Sequence, residues 1–319
     1  MNQGKTITGV IFVGSGAAMY GMLATCVKIA YEHHYTTAEV TTAQLFIGLL
    51  CLMLINFLRR LFRKDNSTDR ATKKDFRKLV LAGICMSATS LFYYLSVQFI
   101  NVSIGVVLLM QSVWMSVVLE SILQRKFPSV RKILAVFVVL FGTVLATNAI
   151  HSTESLDIRG IFWGILAAIS YTIMMYASNT IATYLSTYKK TLIMLLGGGI
   201  IITLFLIFSQ LDPLHSETLK NAYLSVNSKA VFHTFDFSIF WTYGILLAVF
   251  GTILPPILYN YGFPMTGLGL GSIVSSIELP FSVSYAHFLL GEPVYPIQWA
   301  GIGLILLAII WMNLPSVKE

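Results

Sequence analysis

Residues 268–290 read LGLGSIVSSIELPFSVSYAHFLL and carry a single formal charge, Glu278. A run of this length is what a helix needs to cross the ~30 Å hydrocarbon core of a bilayer. Backbone polar groups cannot be left unpaired in lipid, so such a run must be helical. Transmembrane β-strands are about half as long and alternate in polarity. Nine further apolar segments flank it, at about 8–30, 38–58, 79–98, 104–123, 133–150, 160–182, 191–210, 238–259 and 297–314.

The composition agrees. Of 319 residues, 56% are hydrophobic and 11% are Asp, Glu, Lys or Arg. An ordinary soluble domain carries about a quarter charged residues. Mean hydropathy is +0.77. A soluble domain, a disordered chain, a coiled coil and a disulfide framework are excluded. Cys26, Cys51 and Cys85 are scattered in apolar runs, too few for a zinc site. The sequence predicts an all-α polytopic membrane protein with ten transmembrane helices. The first segment is too long for a cleavable signal and nine more follow it.

Orientation follows from Lys and Arg between segments. With the N-terminus inside, cytoplasmic stretches hold 17 of the 21 basic residues: Lys5, nine from Arg59 to Lys78, four from Arg125 to Lys132, Lys189, Lys190 and Lys318. Outer stretches hold Arg159, Lys220 and Lys229. The net charge of +7 is thus a topology signal, and no nucleic-acid partner is expected. Both termini are expected in the cytoplasm. Short loops without a targeting extension point to a bacterial plasma membrane.

The chain repeats internally. A shift of 167 residues lays Leu91-Phe92-Tyr93-Tyr94 on Leu258-Tyr259-Asn260-Tyr261, Gln111 on Glu278, Trp114 on Phe281 and Leu123 on Leu290. Segment 5 falls on segment 10 after a slip of one or two residues. Segment 1 matches segment 6 more weakly. Repeats of five segments, 1–150 and 151–319, must enter the membrane from opposite sides, because five is odd. Two inverted five-helix repeats are a common plan for alternating-access transporters.

Several motifs carry a family resemblance. The first segment contains Tyr20-Gly21 and, further on, Lys28. The ninth segment and its exit read Glu278-Leu279-Pro280, then Leu290-Gly291-Glu292-Pro293. The tenth begins Gln298-Trp299-Ala300-Gly301. The whole chain resembles, in two copies, the EamA-type transporters of the drug/metabolite transporter superfamily. The first copy has Gln124-Arg125-Lys126 where Gly-Glu often stands, and segment 2 has Gln44 where Arg often stands. The resemblance implies a central cavity among segments 1–4 and 6–9, and transport of small metabolites, amino acids or drugs.

Glu278 is the sharpest candidate. A carboxyl at mid-membrane depth is costly and usually faces a cavity or partner. Helical spacing sets Gly271, Ser275, Glu278, Ser282 and Tyr285 in one stripe, with Ile273, Leu279 and Phe281 opposite. Glu278 could bind substrate, couple protons or clamp a neighbouring helix. Gln111, its repeat counterpart, and Trp114 are candidates for lining or packing. The stripes Thr37, Thr41, Gln44, Gly48, Cys51 and Gly83, Ser87, Ser90, Tyr94 suit either a cavity or close helix contact. Lys28 could neutralise an anionic substrate, pair with Glu39 or snorkel to the interface. Tyr171, Tyr176 and Asn179 are further lining candidates. Glu120 and His287, at equivalent repeat positions near the membrane surfaces, read as solvated ends.

Gly197-Gly198-Gly199 and Gly267-x-Gly269-x-Gly271 read as close packing or a hinge, since a dinucleotide fingerprint needs a βαβ unit. Pro255-Pro256 should bend segment 8. No catalytic constellation or metal-ligand run appears at membrane depth, so neither enzymatic activity nor a cofactor is expected. The sequence reads as a secondary transporter, taken as an exporter, driven by protons through Glu278. A passive uniporter or exchanger of the same fold, and a non-transporting receptor or intramembrane enzyme, are the alternatives. Expected partners are a small-molecule substrate and the lipid bilayer. Segments 5 and 10 could face lipid or the second protomer of a homodimer.

Overall fold

A computed structural model describes residues 3–62, 71–100, 102–147, 157–211, 234–291 and 293–313. Most of the loop expected at 211–237, and the residues Arg63 and Lys64 of the basic run, lie outside them. The described elements are helical. The first repeat holds α1 (Gln3–Glu32), α2 (Thr37–Phe62), α3 (Lys73–Phe99), α4 (Val102–Leu109), α5 (Ser112–Gln124) and α6 (Val130–Ala146). The second holds α7 (Ile158–Thr180), α8 (Thr187–Leu206), α9 (Ile239–Thr242), α10 (Gly244–Ala248), α11 (Leu254–Thr266), α12 (Leu268–Ser275), α13 (Glu278–Leu290) and α14 (Pro296–Asn313). Among the described residues, 8 helical stretches are long and apolar enough to cross a membrane, and Pro296–Met312 is a shorter apolar helix.

The repeats interlock. α1 packs on α11 and α13, while α7, its counterpart, packs on α3. α2 packs on α8, and α6 on α14. Close approach comes from small residues, as expected where lipid offers helices no hydrophobic drive to associate. A methyl group at Gly197 would strike the Val80 backbone, and one at Gly83 the Met194 backbone, so α3 and α8 touch main chain to main chain. Gly142 and Gly301 do the same for α6 and α14.

Segments 4 and 9 are each broken. α4 and α5 are separated by Met110-Gln111, and α12 and α13 by Ser276-Ile277. Both breaks tighten into three-residue hydrogen bonding: Val113 N–H donates to Met110, and Ile277 N–H to Val274, each at 3.1 Å. The tighter winding turns later side chains out of phase with earlier ones.

The breaks correct the repeat register. α3 and α11 end at Phe99 and Thr266, 167 residues apart. The next three pairs begin at Val102 and Leu268, Ser112 and Glu278, Val130 and Pro296, all 166 apart. Two residues join α3 to α4, and Gly267 alone joins α11 to α12, which accounts for the slip. Glu278 therefore matches Ser112, not Gln111. Trp114 falls on Pro280, Leu123 on Leu289 and Glu120 on Ala286, not His287. The residue after each broken segment confirms the register: Arg125 (φ 51°) and Gly291 (φ 69°) are both left-handed.

Pro255-Pro256 does not interrupt a regular helix. Both prolines sit in the first turn of α11, where their missing donors cost little. The wider-wound stretch Val249–Ile253 precedes them.

Candidate functional site

α13 begins at Glu278, so the break delivers this carboxyl to the start of a helix. Tyr171 of α7 donates to Glu278 Oε2 at 3.1 Å. Tyr259 of α11 lies 3.0 Å from Tyr171, oxygen to oxygen. A phenol has one proton, so with that of Tyr171 directed at Glu278, Tyr259 must donate to Tyr171. Tyr20 of α1 meets the Tyr259 ring edge-on at 5.5 Å.

An inner cavity of about 90 Å³ surrounds this chain; Glu278, Tyr20, Tyr93, Tyr94, Tyr171 and Ser282 contribute to its wall. A larger outer cavity of about 550 Å³ adjoins it, sharing Ala24, Tyr93, Tyr94, Val106, Leu279 and Ser282. The outer cavity reaches one end of the bundle, past Lys28, Thr37, Thr147 and Gln298. A third space, about 30 Å³, lies beside Tyr20, Thr41, Gln44, Ser87 and Ser90. Gln44 Oε1 is buried without a hydrogen-bond partner.

The opposite end is packed shut. α5 lies on α12. Ser272 of α12 donates to the Val113 carbonyl of α5 at 3.4 Å. Glu120 is 8% exposed and ion-paired with Lys132 of α6. A methyl group at Gly269 would strike both members of that pair. Glu120 is thus a buried partner and not the solvated end the sequence suggested. Lys190, counted as a loop charge, is also buried, its Nζ donating to the Ser178 carbonyl at 2.9 Å.

Of the residues singled out from sequence, Glu278, Tyr171, Tyr94, Ser282 and Lys28 come together around the two joined cavities, and Gln44 lines the third. The stripe through Glu278 does not survive. Ser275 lies before the break, is buried and donates to the Ser272 carbonyl at 2.8 Å. Leu279, assigned to the opposite face, lines both cavities. Gln111 and Trp114 line neither. Gln111 donates to its own Val107 carbonyl and accepts from Trp114 Nε1, both at 2.9 Å, and Trp114 is 39% exposed. Tyr176 and Asn179 also stand outside these two cavities.

Glu39 is fully buried. It accepts from the backbone N–H of Thr36 at 2.7 Å and of Asp236 at 2.6 Å, and from Gln210 Nε2 at 3.2 Å, tying α2 to the second repeat. Tyr20 and Tyr93 were not among the sequence candidates. Tyr20, Ala24 and Lys28, spaced by four on α1, were the available signal, one face of one helix.

The family profile described as the EamA-like transporter family matches residues 7–148 and again 158–314. No curated protein matches the chain. A solved structure titled only "Crystal structure of protein" is similar, with a TM-score of 0.72 at 11% identity, covering 96% of this chain and 98% of that one. At that identity the likeness concerns the fold alone. With two profile matches spanning nearly all of its length, the chain belongs to the EamA-like transporter family and is a multi-pass membrane transporter of the drug/metabolite transporter superfamily.

Proposed function

We propose that the protein is a secondary transporter with ten spans in two inverted repeats, exporting small amphipathic solutes by alternating access with proton exchange at Glu278. The observation that carries this reading is the one-sided access to Glu278. Its cavity continues to one end of the bundle, while Glu120 and Lys132 close the other against Gly269. The bias of basic residues makes the open end external and the closed end, with both termini, cytoplasmic. α6 and α14 supply the two spans beyond the eight long ones. The site is formed between the repeats: Tyr20 and Tyr93 come from the first, Tyr171 and Glu278 from the second. Rocking of one repeat on the other moves these walls apart on one side and together on the other.

Glu278 is the one acid lining the inner cavity among the described residues. A carboxyl that holds either a proton or a solute links the two fluxes. Reconstituted protein tests this. Wild type should move solute with an imposed pH gradient, and Glu278→Gln should fold but lose the gradient dependence. Unchanged gradient-driven flux in that variant would remove the coupling role. Flux that ignores pH in wild type would make the protein a passive exchanger.

A further inference from the structure

The two joined cavities each contain one charged residue among the described lining residues, and the charges are opposite. The inner has Glu278 and no base. The outer has Lys28 and no acid. α1 runs unbroken along both, with Tyr20 at the inner cavity and Lys28 at the outer. Eight residues of helix at about 1.5 Å each separate their levels by about 12 Å. Between the charged groups the wall is aromatic and aliphatic, with Tyr93, Tyr94, Val106 and Leu279 common to both cavities.

The inner cavity has the chemistry of an ammonium site. It offers a carboxyl, phenolic oxygens and tyrosine rings, and rings attract cations through their negative faces. Its volume, about 90 Å³, takes a head group and leaves the body of a larger solute to the outer cavity. An anion is disfavoured beside Glu278. A second cation is disfavoured beside Lys28.

Building on the transport site assigned above, we propose that Glu278 and Lys28 form a two-point charge ruler for elongated zwitterions. A primary or substituted ammonium seats at Glu278, an apolar chain follows the tyrosine-lined wall, and a carboxylate or similar anion ends at Lys28. Lys28 is the specificity-determining residue. An α-amino acid, with its charges on neighbouring carbons, cannot span both points. A diamine of equal length meets like charge at Lys28.

Isothermal titration of the full chain in lipid nanodiscs tests the ruler with four probes: 8-aminooctanoate, octylamine, 1,8-diaminooctane and octanoate. 8-Aminooctanoate should bind about tenfold tighter than octylamine, the ratio that 1.4 kcal/mol of ion pairing gives. Octylamine should bind tighter than the diamine, and octanoate should be weakest. Lys28→Gln should erase the advantage of 8-aminooctanoate and leave octylamine unchanged. Glu278→Gln should weaken both amines. Equal binding of 8-aminooctanoate and octylamine in wild type, or an advantage that survives Lys28→Gln, overturns the ruler. Amine binding that survives Glu278→Gln overturns the site itself. Binding of none of the four overturns the amine class while leaving pH-driven transport of other solutes to be judged separately.

Discussion

Glu120 and Ala286 hold the same place in the two repeats, 166 residues apart, and meet opposite surroundings. Ala286 lines the wide outer cavity, as does Gln298. Glu120 is sealed in the closed end, paired with Lys132, the residue that corresponds to Gln298. The repeat that closes carries an ion pair, and the repeat that stands open carries an alanine and an amide.

Loss of the pair should loosen the closed end. Glu120→Gln leaves Lys132 without its partner at a largely buried place, and breaking a buried pair one-sidedly is costly. Labelling of an introduced Ser272→Cys by a membrane-impermeant maleimide from the terminal side should rise several-fold. The charge swap of Glu120→Lys with Lys132→Glu should restore protection. No change in labelling would reduce the pair to a local contact.

Tyr171→Phe should leave folding intact and slow transport. The variant removes the hydroxyl that donates to Glu278 and separates Tyr259 from it. A hydrogen bond to a charged group is worth about 1.5–3 kcal/mol, so solute affinity or flux should fall by about tenfold or more. Flux assays in proteoliposomes, with melting curves as the folding control, measure both.

Arg125 and Gly291 should respond in opposite directions. Both occupy left-handed backbone, which costs a non-glycine residue roughly 1–2 kcal/mol. Arg125→Gly should raise stability by up to about 1 kcal/mol once glycine's greater unfolded-state freedom is subtracted. Gly291→Ala should lower it by a similar amount, although open space surrounds the position. Melting temperature in detergent reads both.

Asp157 sets a pH dependence at the start of α7. Its carboxylate accepts from the Arg159 backbone and guanidinium, which hold it below the ordinary carboxylate range. A lowered folded-state value stabilises above the unfolded value and is lost as pH falls through the folded one. Asp157→Ala should therefore lower the melting temperature at pH 7, with the difference shrinking on acidification below the carboxylate range. A difference that persists at low pH would assign the effect to something other than this charge.

Much of the architecture was legible because lipid imposes its rules locally. Run length implies helices, and the motifs around Glu278 and Gly291 carried the family. The site was half legible. A polar residue in an apolar run announces itself, so Glu278, Tyr171, Ser282 and Lys28 could be found one at a time. Gln111 and Trp114 could not be told from lining residues, because a break in a segment follows from its contacts and not from its hydropathy. The one-residue slip before α4 and α12 hid the true counterparts of Glu278 and Glu120 for the same reason.

The sequence by itself determined the membrane-spanning helices, the two copies and the isolated carboxyl among apolar residues, since each follows from hydropathy along the chain. Only the tertiary structure decided that Tyr171 and Tyr259 reach Glu278, that Glu120 faces Lys132 under Gly269, and that Glu278 and Lys28 share one continuous cavity. Those relations join residues up to 258 positions apart in sequence, such as Tyr20 and Glu278. They depend on how closely small residues let helices approach, a distance that no single helix encodes.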